Sequence, residues 1–124
     1  MNIQHMIDRI KAHPDAAKIG MILCHNGIVR GTARDGRPVS GLVVSVDEDK
    51  LASVLDSHRR MPGIVDIQVE IKAGRPLAVG DDVMAIVVGG DIRENVIAAL
   101  SATLNTIKSE VTAKKQFFID NPRN

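Results

Sequence analysis

The residues from Met84 to Lys115 constrain the fold of this chain more than any others. Met84-Ala85-Ile86-Val87-Val88 is an apolar run of strand length. Gly89 and Gly90 interrupt it. Asp91 follows as an N-cap, its carboxylate placed to accept the free N–H groups of a first helical turn. Glu94, three residues on, suits the reciprocal position of a capping box. Val96, Ile97, Leu100, Leu104, Ile107 and Val111 then recur at helical spacing and define one apolar face. On this reading the helix persists to Lys115. Lys108 and Lys115 then share a face, about 10 Å apart along the axis, a separation that brackets a small anion. A solvated lysine edge near a helix C-terminus, favoured by the dipole, accounts for the same pair. Arg93, in the first turn, gains nothing from that dipole.

The rest of the chain reads in shorter pieces. Ile3, Met6, Ile7 and Ile10 define an amphipathic helix that ends near His13, because Pro14 disfavours helix in the residue before it. Met21 to His25 is a strand, Asn26-Gly27 a turn or bulge, and Ile28-Val29-Arg30 an extended continuation. Gly31 to Pro38 is a loop with an Asp-Gly turn signal. Val39 to Val46 is the next strand. Asp47 caps a helix carrying Leu51, Val54 and Leu55, which Met61-Pro62-Gly63 stops. Ile64 to Ile71 alternates as a half-buried strand, and Ala73 to Pro76 and Gly80 to Asp82 are turn material. The polar tail over 118–124 is expected to fray. Helices and strands do not alternate strictly. The pattern predicts one α+β domain over 1–124, with a mixed or antiparallel sheet and three main helices.

Composition removes several functional classes. A length of 124 residues is that of one domain. Phe117 and Phe118 are the only aromatic residues apart from histidine, so aliphatic side chains build the core and base-stacking platforms are lacking. A net charge of +1 argues against a general nucleic-acid or membrane-surface binder. No apolar run reaches the length of a membrane span, and the N-terminus is amphipathic, unlike a signal peptide. Cys24 is the single cysteine, read as a small buried thiol in a cytoplasmic setting. His5, His13, His25 and His58 do not stand with each other or with Cys24 at metal-ligand spacing. Gly89-Gly90-Asp91 lacks both the dinucleotide fingerprint and the Lys-Ser/Thr of a phosphate loop, and no cofactor is expected. Arg30, Arg34 and Arg37 offer forked donors suited to phosphate or carboxylate, with a solvated basic loop as the alternative. Were they to converge with Arg93, Lys108 and Lys115, the target would be a compact polyanion.

Several of these segments, in this order, resemble one family, the large catalytic subunit of molybdopterin synthase. Gly20 to Arg30 is similar to that family's strand and following Gly-x-Val-Arg. Ile71-Lys72-Ala73-Gly74 and Val79-Gly80-Asp81 are similar to its His-Arg-x-Gly and Val-Gly-Asp. Ile92-Arg93 falls where the family has His-Arg, Ile107-Lys108 resembles its Leu-Lys, and Lys115 its lysine seven residues later. The likeness spans Ile3 to Phe117. Ile92 stands in place of the family's histidine and Phe117 in place of an acidic residue. Thr112-Ala113-Lys114 replaces Pro, an apolar residue and Trp, and Leu42-Val43-Val44-Ser45 lacks the usual Glu and Tyr.

The resemblance implies an α/β hammerhead-like fold and a homodimer whose protomers each bind a small ubiquitin-like carrier. The C-terminal Gly-Gly thiocarboxylate of that carrier would supply sulfur to cyclic pyranopterin monophosphate, in the cytoplasm. Lys108 and Lys115 would serve the transfer chemistry, and Arg30 and Arg93 would hold the phosphate. Ile28, Val29, Ile92 and Phe117 would complete the substrate site. A surplus of aliphatic strand residues, among them Leu42, Val43, Val44, Ile86, Val87 and Val88, agrees with burial between protomers. The alternatives are a catalytically silent dimer of the same fold that binds an anion or carrier protein, and an unrelated α+β domain binding a phosphorylated metabolite.

Overall fold

The alternation of side chains along one strand sets the architecture. In the computed structural model, which describes residues 1–119, the apolar run is the middle of β5 (Asp82–Gly90). This strand pairs antiparallel with β1 (Met21–Ile28) on one side and β3 (Ile64–Ile71) on the other. Ala85 and Val87 point to one face and pack with Met6 and Ile10 of α1 (Ile3–Lys11). Met84, Ile86 and Val88 point to the other face. There they meet Val96 and Ala99 of α3 (Arg93–Thr106), with Leu51, Val54 and Leu55 of α2 (Glu48–His58) alongside. Helices on both faces explain why the strand reads as a continuous apolar run rather than an alternating one.

A second antiparallel sheet stands beside the first. Its central strand, β2 (Val39–Val46), pairs with β4 (Leu77–Ala78) and with β6 (Thr112–Phe118). Val29, Leu42, Val44 and Leu77 bury one another there, with Val83 and Ile71 bridging to the first sheet. The domain is therefore α+β, with three α-helices and two three-stranded antiparallel sheets among the described residues. No helix is long and apolar enough to cross a membrane among the described residues. Leu42, Val44, Ile86, Val87 and Val88 are buried within this single chain. The large apolar side chains left exposed are Ile28, Val79, Ile92, Ile97, Phe118 and Ile119.

Local signals set several boundaries, as expected for α2 and for the bulge in β1. Asp47 accepts the Lys50 N–H at 3.1 Å and starts α2. Asn2 does the same for α1 through the His5 N–H at 2.9 Å. A bulge follows Gly27 in β1.

Other expectations are corrected. Gly89 and Gly90 do not end the strand: they pair with Ile22 and Met21 on one side and with Asp66 and Ile64 on the other. Their lack of a side chain serves packing, since a Cβ on Gly89 would lie 2.5 Å from Cγ2 of Ile10. The N-cap of α3 is Ile92, in extended conformation, and not Asp91. The Asp91 carboxylate instead accepts from the Asn95 side chain at 2.9 Å and from the Ile92 N–H. These two bonds hold its pKa below the ordinary value. Glu94 closes no capping box and lies 3.4 Å from Arg93. Cys24 is exposed rather than buried, and partial desolvation raises its pKa, which disfavours the thiolate.

The largest correction concerns the last helix. It stops at Thr106, passes through a π-helical turn at Ile107–Val111, and gives way to β6. The Thr112 hydroxyl donates to the Ile107 carbonyl at 3.3 Å, and the Asp47 N–H donates to the Val111 carbonyl at 2.9 Å. These contacts satisfy carbonyls that a helix end leaves free. Lys115 is therefore a strand residue and shares no helical face with Lys108. Phe118 belongs to β6, and the Ile119 N–H donates to the Pro38 carbonyl at 3.0 Å. The rest of the expected tail, 120–124, lies outside the described residues.

Candidate active site

Where the two sheets diverge, a cleft of about 430 Å3 opens beneath the π-helical turn. Its floor is apolar, made by Leu42 and Val44 of β2 with Val83 and Met84 of β5. Its rim is cationic. Lys108 enters from the turn, Lys114 from β6 and Arg34 from the loop after β1, while His25 and Ile28 come from β1 itself. No aspartate or glutamate lines the cleft among the described residues. Three cations without a facing carboxylate give a site that favours an anion, and the low-dielectric floor strengthens the attraction.

His25 tunes this environment. Burial, and next the charge of Lys108, push its pKa below the ordinary value, so the imidazole is neutral at pH 7. The ring supplies one donor and one acceptor nitrogen, without a charge, beside the lysine.

The expected site residues separate into two groups. Lys108, Arg34 and Ile28 line the cleft, Ile28 with 54% of its surface exposed. Val29 is 2% exposed and is a core residue of the second sheet, its backbone bonded to Gly80 and Asp81. Arg30 is outside the lining, and its Nε donates to the Thr32 carbonyl at 2.9 Å. Arg37 pairs with Asp35 at 2.8 Å and lies over the Phe118 ring at 3.9 Å. The Asp35 carboxyl is held below its ordinary pKa by those Arg37 contacts. Arg93 and Ile92 are exposed at the opposite end of α3 from Lys108. At 1.5 Å per residue that end is about 20 Å away, so Arg93 and Lys108 do not share a small pocket in one protomer. Lys115 and Phe117 lie in β6 but outside the cleft.

Sequence reasoning missed His25 and Lys114 as site residues. For His25 the signal was an ionisable residue in a strand next to a glycine bulge. For Lys114 it was the parity of a strand that the helical pattern concealed. Among the described residues, no three His, Cys, Asp or Glu side chains are grouped to hold a metal ion.

Comparison with known proteins gives this site its context. A model of the MoaE protein family matches residues 1–110. No curated protein matches significantly. Among solved structures, molybdopterin synthase from Staphylococcus aureus is 24% identical, covering 84% of this chain and 78% of its own, with a TM-score of 0.70. The molybdopterin cofactor biosynthesis protein E of Burkholderia multivorans is 22% identical over 97% of this chain and 84% of its own, at a TM-score of 0.74. A complex of subunits 1 and 2 of molybdopterin-converting factor from Helicobacter pylori contains a chain 15% identical, covering 98% and 86%, at 0.68. At these identities the structures establish a shared fold, and the family match carries the assignment: this chain belongs to the MoaE protein family and has its role in molybdopterin synthesis.

Proposed function

We propose that this protein is the sulfur-transferring catalytic subunit of a molybdopterin synthase. It would move sulfur from a thiocarboxylated carrier tail to cyclic pyranopterin monophosphate. The observation that carries the reading is the cleft with Lys108 on its rim and no acidic lining among the described residues, in a chain of this family. Donor and acceptor are both anions, and they meet favourably only where cations converge. Lys108 is the residue assigned to the transfer step, and Arg34 and Ile28 line the approach to it. The subunit 1 and 2 complex of the H. pylori relative supports a small second subunit as partner. The reading includes a homodimer in the cytoplasm. Arg93 and Lys108 are too far apart to serve one substrate within a protomer, and a second copy would supply Arg93 from outside.

The test is conversion of the cyclic precursor by purified protein with a thiocarboxylated carrier. Wild type is expected to turn over, and Lys108→Arg, which keeps the charge but does not readily give up a proton, is expected to lose turnover while still binding the carrier. Full activity in the arginine variant would reduce Lys108 to a charged clamp. No turnover by wild type would favour a silent binding module.

A further inference from the structure

The first sheet has two edges, β1 and β3, and an edge strand offers unpaired N–H and C=O groups to any other strand. The Lys72 N–H, which donates to the Val83 carbonyl at 2.8 Å, fixes which groups β3 offers. Backbone groups of successive residues in a strand point to opposite sides, and the β3–β5 register is regular from Asp66 to Ile71. Asp66, Gln68 and Glu70 therefore bond towards β5, while Ile67, Val69 and Ile71 direct their N–H and C=O groups outward. The strand, Ile64-Val65-Asp66-Ile67-Gln68-Val69-Glu70-Ile71, is rich in β-branched residues and has the composition of one that pairs readily. Laid antiparallel to itself about Ile67, it would set Asp66 opposite Gln68 and Val65 opposite Val69, with no like charges facing. By composition and charge, β3 is a fit partner for the β3 of a second copy.

The outward groups of Ile67, in the middle of that edge, are already taken. Oδ1 of Asp66 accepts the Ile67 N–H at 2.8 Å. Nη2 and Nε of Arg59, the residue that follows α2, donate to the Ile67 carbonyl at 2.7 and 3.2 Å. The Arg59 Nε also donates to Oδ1 of Asp66 at 3.1 Å, and the Gln68 amide holds Oδ2 at 2.8 Å. A strand added to this edge would place its own N–H about 2.9 Å from the Ile67 carbonyl, where the guanidinium now stands. We infer that Arg59 and Asp66 clasp β3 shut, so that a second copy of this chain cannot add its own β3 to the edge. Val69, beyond the clasp, keeps its outward groups open, but a hold at one end of the strand is too short for stable pairing. Arg60, the next residue, takes no part: it pairs with Asp56 at 3.0 Å on the exposed side of α2. The inference stands apart from the proposed function and concerns no residue of the cleft.

The experiment compares the full chain with Arg59→Met, which keeps an apolar stem and removes the donors, by sedimentation velocity over a concentration series. Hydrogen exchange of the amides is followed in 1H–15N NMR spectra of the same samples. With increasing concentration Arg59→Met is expected to form a species of twice the wild-type mass, whatever the wild-type mass is. The Val69 amide is then expected to exchange roughly tenfold more slowly in the associated sample than in a dilute one, as a newly paired strand amide does. Asp66→Ala frees the same edge at the Ile67 N–H and is expected to associate in the same way, so a folding defect in one variant leaves the other to decide. Arg60→Met makes the same change of charge one residue further on and is expected to keep the wild-type mass. Dispersed amide signals from β1 and β5 establish that each variant is folded. The inference is overturned if folded Arg59→Met or Asp66→Ala keeps the wild-type mass at every concentration. Association without slowed exchange at Val69, or equal association by Arg60→Met, overturns it as well.

Discussion

Lys108 and His25 are electrostatically coupled in the cleft: after burial, the ammonium of Lys108 is the second cause that lowers the pKa of the His25 imidazole. The order of the two causes makes a specific expectation. In Lys108→Met the His25 pKa rises towards the ordinary value of about 6.5 but stays below it, because the larger cause is untouched. NMR titration of the imidazole C–H resonances measures both values. A His25 pKa that does not move in the variant would separate the two groups.

The same shift fixes a pH dependence. His25 binds a proton less readily in the folded chain than in the unfolded one. Its contribution to stability is therefore full above about pH 6.5 and is lost as pH falls through the lower folded value. In that window His25→Phe, which cannot take up a proton, is expected to flatten the decline in urea midpoint relative to wild type. An identical slope for both proteins would count against a lowered pKa.

Gly89→Ala tests the close approach of α1 to the central strand. The added methyl would sit 2.5 Å from Cγ2 of Ile10, whose side chain is fully buried. Overpacking of this kind costs about 1–3 kcal/mol. Ile10→Leu in the same chain removes the β-branched Cγ2 methyl at constant volume and is expected to recover part of that loss, giving a non-additive double-mutant cycle in urea unfolding. Additive losses would mean that the two residues do not compete for the space.

Asp47→Ala removes the cap of α2, where the carboxylate accepts the Lys50 N–H. The expected loss is about 1 kcal/mol, read from chemical denaturation. Asp47→Asn, which keeps an acceptor oxygen, should lose less. Equal losses would shift the explanation from the cap to the charge.

Arg59 joins the end of α2 to β3. Its guanidinium donates to the Ile67 carbonyl at 2.7 Å and to the Asp66 carboxylate at 3.1 Å. Ile67 is fully buried, and the Asp66 side chain is 13% exposed. Arg59→Lys retains the charge but not the fork that reaches both acceptors. It is expected to destabilise by about 1–2 kcal/mol, measured by thermal or urea unfolding. A neutral result would mean that water replaces the lost donors at no cost.

What the amino-acid sequence determined by itself was local. Asp47 before an apolar helical pattern, Pro14 after one, and the Asp-Gly turn of the loop each act over a few residues, and each stands where the chain predicts. The apolar run at Met84–Val88 announced a buried strand for the same reason, and the ordered short motifs placed the chain in its family. The tertiary structure decided what depends on distant partners. Val111 lies on the apolar face whether the chain continues as helix or turns to strand, so no residue near it signals the end of α3. The Val111 carbonyl bonded to Asp47, and β2 offering a free edge to Thr112–Phe118, make the change. That change replaces a period of 3.6 with a period of 2. It takes Lys115 off the face expected for it, brings Lys114 into the cleft beside Lys108, and gives His25 the neighbour that shifts its proton affinity. Gly89 likewise reads as a strand breaker until Ile10 lies against it. Local preference is written residue by residue, whereas a shared face, a close approach and an electrostatic pair exist only once two segments meet.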